Sequence, residues 1–360
     1  MRNRILLCYL DRIMQRYTTL VLFFVAGLFS FGQSFYDAGP TKDPRAVFEA
    51  IAPYYDYMDA NLKPWHMKVD YQIDDEKGSP AESGVFEYWW VSPKVYRSTW
   101  TRGQSTHSDW HTADGRHYTQ TIGDPLGIYE HWLRTALLSP LPSADDLNPG
   151  KDILVDHSIA SANSHSRCFM VVPSEVTAPV ARTLPFGLYP EYCVNKARPL
   201  LLGFYRFGTI MVRCVIFTQM QGKSMPREVY IIEGSREILS AKVEPVDALN
   251  PADPALIPPD KAILVKVERS GISSDAESKL LVKKVAPAYP EDAKSARIHG
   301  KVVLQTTIGP DGRVEDVRLV SAPSPSLALS AFHAVSQWEY KPHHDGGEAV
   351  TVESTVEVEF

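Results

Sequence analysis

The last eleven residues alternate without a break, and that alternation constrains the fold more than any other feature of the chain. Val350, Val352, Ser354, Val356, Val358 and Phe360 fall on one side; Thr351, Glu353, Thr355, Glu357 and Glu359 fall on the other. A helix would mix the two sets around its axis, whereas a period of two segregates them onto the faces of a strand. One face must be buried and the other wet. Such a strand needs a neighbour to complete its hydrogen bonds and a covering layer for its apolar face, so the C-terminal region reads as α+β.

The seventy residues before it supply those parts. Glu291–Ile298 has acids in its first turn, as suits a helix N-terminus, and Gly300 ends it. Val302–Ile308 and Val314–Val320 read as strands joined by the turn Gly309-Pro310-Asp311-Gly312. Leu327, Ala331, Val335 and Trp338 mark one face of a second helix.

Residues 280–360 resemble the TonB C-terminal domain, the module with which energy transducers grip outer-membrane receptors. The resemblance is carried by Tyr289-Pro290 with Ala293, by Gly300-x-Val302, by Ile308-x-x-Asp311-Gly312-x-Val314, and by Trp338-x-Tyr340-x-Pro342. It implies three antiparallel strands with two helices on one face. It also implies a mode of action, in which an extended segment of an envelope partner, such as a TonB-dependent outer-membrane receptor, adds as another strand to the sheet edge. Carried over, that edge is the last strand, with Val350, Val352, Ser354, Val356, Val358 and Phe360 as partner-binding residues. The alternative is an edge capped by a second copy, giving a homodimer, or by the rest of the chain.

Upstream, residues 41–245 read as a mainly antiparallel, curved β-sheet domain with helices. Pro44–Ala60 carries an apolar stripe at three- and four-residue steps. His66–Ile73, Gly84–Trp90, Val95–Arg102 and Ser105–Thr121 follow as aromatic-rich strand segments. A helical insertion is expected at Gly127–Leu138, with further strands at Ile153–Ile159, Arg167–Val172, Leu200–Phe207, Ile210–Met220, Arg227–Ile232 and Glu237–Val243. This texture is similar to LolA-like periplasmic carrier domains, which implies an apolar concavity able to take a lipid. The competing reading is that Trp89, Trp90, Trp100, Trp110 and Tyr118 fill a core. Five prolines between Pro245 and Pro259 mark 246–279 as a Pro-rich linker.

Arg2, Arg4, Arg12 and Arg16 precede an apolar run ending at Ser30-Phe31-Gly32, the layout of a signal peptide over residues 1–32. A retained inner-membrane anchor is the alternative, although the fifteen residues Tyr17–Phe31 fall short of a bilayer span. The expected location is the periplasm. Energy transducers carry a functional histidine in their anchor and a long spacer; Tyr17–Phe31 holds no histidine and the Pro-rich stretch is short, two departures that leave coupling to an inner-membrane motor open. Loss of residues 1–32 takes the net charge from −6 to −9. That balance, with no basic block, argues against nucleic-acid binding.

Export leaves Cys168, Cys193 and Cys214, an odd number that fits one disulfide and one buried thiol. Cys168 and Cys193 are the expected pair, each on a strand-like run beside a Pro-rich loop. No CxxC or HxxxC spacing supports a zinc site. His107, His111 and His117 with Asp109 could share a strand face but read better as polar surface, and His343-His344 as a chance pair. No nucleophile elbow, P-loop or dinucleotide fingerprint occurs. The sequence therefore calls for no cofactor and no metal, and for a binding protein rather than an enzyme.

Overall fold

The computed structural model describes residues 38–39, 42–142, 152–157, 165–174 and 188–360. The proposed signal segment lies outside them. Among the described residues no helix is long and apolar enough to cross a membrane.

Helix α1 (Pro44–Ile51) opens with a proline in its first turn, where no backbone donor is needed, and buries Val47, Phe48 and Ile51. It is shorter than Pro44–Ala60 because the chain tightens into a 3₁₀ turn at Ala52–Tyr54, led by Pro53. Strands β1 (Trp65–Asp74), β2 (Pro80–Ser92), β3 (Val95–Arg102), β4 (Ser105–His111) and β5 (His117–Ile122) form a meander, with α2 (Ile128–Leu138) after it. Then come β6 (Asp152–Asp156), β7 (Ser166–Pro173), β8 (Glu191–Asn195), β9 (Leu201–Phe207), β10 (Ile210–Met220), β11 (Lys223–Glu233) and β12 (Arg236–Val243). β12 pairs with β1, so this sheet runs β6-β7-β8-β9-β10-β11-β12-β1-β2-β3-β4-β5, antiparallel throughout.

Its interior is aromatic. Trp65, Trp90, Trp100, Tyr88 and Phe86 are buried, with Phe86 stacked on Trp100 at 4.1 Å. Trp89 and Trp110 clasp Arg97 at 4.5 and 5.2 Å from its guanidinium. Tyr71 lies across Gly84 of the neighbouring strand, and a Cβ there would collide with the ring. Trp65, Phe86, Tyr88, Trp90 and Trp100 share one face of the sheet and pack one another, while Trp89, Arg97 and Trp110 lie on the opposite face.

The stretch expected as a linker is structured. β13 (Asp247–Ala248) pairs with the start of β1, and the Ala255 carbonyl accepts from Trp110 Nε1 and Arg97 Nη1 at 3.0 and 3.2 Å. β14 (Ile263–Gly271) then pairs with β5 on one side. Proline content marked this segment as extended; Ile263, Leu264 and Val265 give it a reason to join a sheet.

The C-terminal residues add α3 (Ser274–Leu280), β15 (Leu281–Lys283), α4 (Glu291–Ser295), β16 (Lys301–Ile308), β17 (Val314–Ser321), α5 (Pro325–Val335), β18 (Glu339–Tyr340), β19 (His344–Asp345) and β20 (Glu348–Glu359). β16 lies between β17 and β20, both antiparallel to it. β14 pairs with β20 in parallel, which joins the two sheets into one continuous hydrogen-bonded ladder. α5 contributes the other junction: Phe332 stacks on Trp132 of α2 at 5.2 Å and on Phe207 of β9 at 4.9 Å. Around that apolar centre, Arg206 pairs with Asp316 at 2.5 Å and His333 with Glu233 at 2.6 Å.

Candidate strand-addition site

β20 shows the alternation that its sequence imposes. Val350, Val352, Ser354, Val356 and Val358 are buried, and Thr355, Glu357 and Glu359 are exposed. The strand is anchored by eight consecutive pairs with β16, from Lys301↔Glu359 to Ile308↔Val352.

The register settles which backbone groups remain available. Gly300 and Phe360 exchange both hydrogen bonds at 3.1 Å, so they form a hydrogen-bonded pair. Such pairs recur every second residue in an antiparallel ladder. The amides of Val352, Ser354, Val356 and Val358 therefore face β16, and those of Glu353, Thr355, Glu357 and Glu359 face away from it. The sequence-based expectation named side chains, and the register adds the facing of their amides. Val350, Val352, Ser354, Val356, Val358 and Phe360 supply the buried side-chain face, but their amides are turned inward; the outward groups belong to the acidic set.

The outward edge is half occupied. β14 lies along residues 349–353, and its pairing is broken by an irregularity between Lys266 and Ser270. The Glu353 carbonyl accepts from Ile272 N at 2.9 Å and the Thr355 carbonyl from Ser274 Oγ at 2.7 Å. Beyond that point, among the described residues, no strand is paired with 355–359 on this side. The border is thus taken by β14 upstream and by the start of α3 at Thr355, with no strand paired further downstream among the described residues. Lys301 Nζ lies 2.6 Å from Glu357 and 3.8 Å from Glu359 across the wet face.

The motif residues hold this strand in place. Tyr289 packs edge-on against Phe360 at 5.8 Å and donates its hydroxyl to the Ile298 carbonyl at 2.7 Å. Pro290 caps α4, and Ala293 is buried beneath it. Gly300, at φ +132°, turns the chain into β16. Asp311 accepts from the Arg313 amide at 2.9 Å. Gly312, at φ +82°, lies against the Tyr340 carbonyl, where a Cβ would collide. Trp338 is buried and donates its Nε1 to Val285 O at 2.9 Å. Pro342 is exposed at the turn before β19.

Other candidates separate. Cys168 and Cys193 meet as a disulfide between opposed positions of β7 and β8, and Cys214 is a buried free thiol. His107 Nε2 lies 3.2 Å and His117 Nε2 4.0 Å from Asp109, but Arg134 also reaches that carboxylate at 3.3 Å. Burial pushes the Asp109 carboxyl up, yet His107 and Arg134 outweigh it and hold the group well below its ordinary value. A guanidinium already at the carboxylate opposes a metal there. His111 stacks on Tyr96 at 4.8 Å, with its ring 6.0 Å from that of His117. Nothing in the residue pattern pointed to Glu315, which lies in the same region and whose carboxyl burial pushes up to about 7. Residue spacing along β17 places Glu315 on an ordinary polar position; only the packing of α2 over it reveals the burial.

The family-model match falls on this module. Residues 285–360 match the family model of the Gram-negative bacterial TonB protein C-terminal. Protein TonB of Pseudomonas aeruginosa is 32% identical over 87 residues, covering 24% of this chain and 25% of that protein. Protein TonB of Escherichia coli K12 is 32% identical over 76 residues, covering 21% and 32%. The chain therefore matches about a quarter to a third of the length of these relatives. Among solved structures, the C-terminal domain of Pseudomonas aeruginosa TonB aligns at 28% identity over 22% of this chain and 82% of that one, with a TM-score of 0.20. A LolA superfamily protein from Nitrosomonas europaea aligns at 9% identity over 58% of this chain and 97% of that one, with a TM-score of 0.35. Residues 285–360 thus match the TonB-type C-terminal module, and the β-rich region precedes them in this chain.

Proposed function

We propose that this chain is a periplasmic binding protein that takes up an extended segment of an envelope partner, such as an outer-membrane receptor, as an added strand along residues 355–359. The observation that carries the reading is the outward amide row at Thr355, Glu357 and Glu359, with no strand opposite among the described residues, on a strand paired with β16 through eight consecutive positions. An edge of this kind offers main-chain affinity without requiring a particular partner side chain. The reaction is association, with no chemical step. The aromatic-filled β-rich region serves as the platform on which the module is mounted through Phe332, Trp132 and Phe207.

The test is a titration of the purified chain with synthetic peptides from the periplasm-facing segments of outer-membrane receptors, followed by amide resonances. Shifts centred on 355–359 that disappear in Glu357→Pro are expected. Shifts confined elsewhere, or unchanged binding by the proline variant, would overturn the reading. A dimer in sedimentation that Glu357→Pro dissolves would instead assign the same edge to a second copy of this chain.

A further inference from the structure

The disulfide lies in a setting that a simple crosslink does not require. Val171 N donates to Pro190 O at 2.8 Å and Lys196 N to His165 O at 2.9 Å, so the odd-numbered residues of β7 make the bonded pairs with β8. Cys168↔Cys193 is then a non-bonded pair, the arrangement that brings two side chains closest. Glu191 precedes Cys193 by two residues and shares its face. His157 follows β6 opposite Cys168, whose carbonyl accepts from its amide at 3.0 Å, so it shares that face too. One carboxylate oxygen of Glu191 and the two sulfurs all lie within 4.8 Å of one another. His157 Nδ1 sits 3.1 Å from Glu191 Oε1, and His157, Glu191 and Cys193 are 4%, 0% and 7% exposed. Two cysteines, a carboxylate and an imidazole thus converge in a largely buried site.

We propose that the reduced form of this site binds a divalent thiophilic cation such as Zn²⁺, with Cys168, Cys193 and Glu191 as ligands and His157 orienting the Glu191 carboxylate. The site has two states. A dithiol reductant gives two electrons and two protons to the Cys168–Cys193 bond, becoming a disulfide itself, and leaves two thiols. The cation then binds both sulfurs as thiolates and releases their two protons to solvent. Tetrahedral zinc with Zn–S bonds of about 2.3 Å needs sulfurs roughly 3.8 Å apart. With the Cα atoms of Cys168 and Cys193 4.0 Å apart, rotation about the Cα–Cβ bonds brings the sulfurs to that spacing without moving the strands. Carboxylate and thiolate ligands suit this cation, and an imidazole hydrogen-bonded to a ligating carboxylate is a recurrent support for such sites. Cys214 offers no competing ligand, because burial pushes its thiol up to about 12. The inference is independent of strand addition.

The experiment loads the full exported chain with Zn²⁺ alone, once after reduction by a metal-compatible phosphine and once fully oxidised, then measures retained zinc by mass spectrometry after desalting. About one zinc per reduced chain and none per oxidised chain are expected. Glu191→Gln and His157→Ala should each weaken binding about 10–100-fold in chelator competition, and Cys193→Ser should abolish it. Cobalt substitution in the reduced natural sequence should show thiolate-to-metal charge transfer, which needs no variant to fold. A reduced chain that retains no zinc, a cobalt spectrum without thiolate bands, or folded Glu191→Gln and Cys193→Ser variants that bind as tightly would overturn it.

Discussion

The facing of β20 can be tested without any partner, by placing a proline at each of two adjacent positions. At Val356 the amide faces β16 and, in the register with Leu304, donates into the ladder. Val356→Pro removes that bond and leaves a carbonyl of Leu304, itself 0% exposed, without its donor. A lost net hydrogen bond contributes about 0.5–1.5 kcal/mol and a buried orphaned acceptor about 1–3 kcal/mol, so the variant should lose about 2–4 kcal/mol. At Glu357 the amide faces outward, no ladder bond is lost, and proline is tolerated on an edge with its nitrogen toward solvent. Glu357→Pro should stay within about 1 kcal/mol of Glu357→Ala, in the range of ordinary surface changes. Urea unfolding of the four chains, Val356→Ala included, gives the comparison at constant m-value. Equal losses for the two prolines, or a milder effect at 356, would refute the register and with it the assignment of the open edge.

Three further outcomes follow from the packing. Phe332→Ala deletes a fully buried ring at the junction of α5, α2 and β9 and should cost about 3–5 kcal/mol in denaturant, with early proteolysis between module and sheet. Replacing both Cys168 and Cys193 by Ala opens a crosslink of sequence separation 25, and loop entropy puts the loss at about 3.5 kcal/mol in urea under oxidising conditions. Burial, then Asp311 and Asp109, raises the Glu315 carboxyl from 4.5 to about 7, so the fold favours its protonated form. Its stabilising contribution is complete below pH 4.5 and is lost as pH rises to about 7; unfolding of Glu315→Gln should lack that component across the same window, and an unchanged profile would contradict the burial.

Much of this was legible in the residues. Alternation in 350–360 requires a strand with one buried side, and the Asp311-Gly312 turn, the Trp338 anchor and the Cys168–Cys193 crosslink stand where their sequence contexts put them. Side-chain facing, however, is set by the pleat, while amide facing is set by the register with a neighbour. The former repeats along one chain and can be read from it; the latter depended on the Gly300–Phe360 pair, sixty residues apart. The role of β14 was hidden for a related reason. Its proline-rich approach signals extension, but extension is common to linkers and strands, and only the two edges that flank Ile263–Gly271 decide between them. The proposed cation site was hidden because Cys168 of β7, Glu191 and Cys193 of β8 and His157 just after β6 meet only through strand pairing, and the Glu191-x-Cys193 spacing alone records no site.

These pairings narrow where the module can act. Its α5 face is taken up by Trp132 and Phe207, and the first half of the outward edge of β20 by β14. β14 is the weaker of the two neighbours of β20, since its ladder is interrupted at Lys266–Ser270 while that of β16 runs through eight pairs. A partner strand longer than five residues must therefore displace β14, and β14 is also paired with β5 through Ile263, Leu264 and Val265. Short partners would add to the free edge and leave the rest of the chain as it is. Longer ones would unzip the seam between module and sheet, turning an event at the C-terminal strand into a change at β5. A peptide-length series, read by hydrogen exchange at residues 117–119, separates the two regimes: protection there should fall only once the peptide exceeds the open segment, and a fall with the shortest binding peptide would rule out this division of the edge.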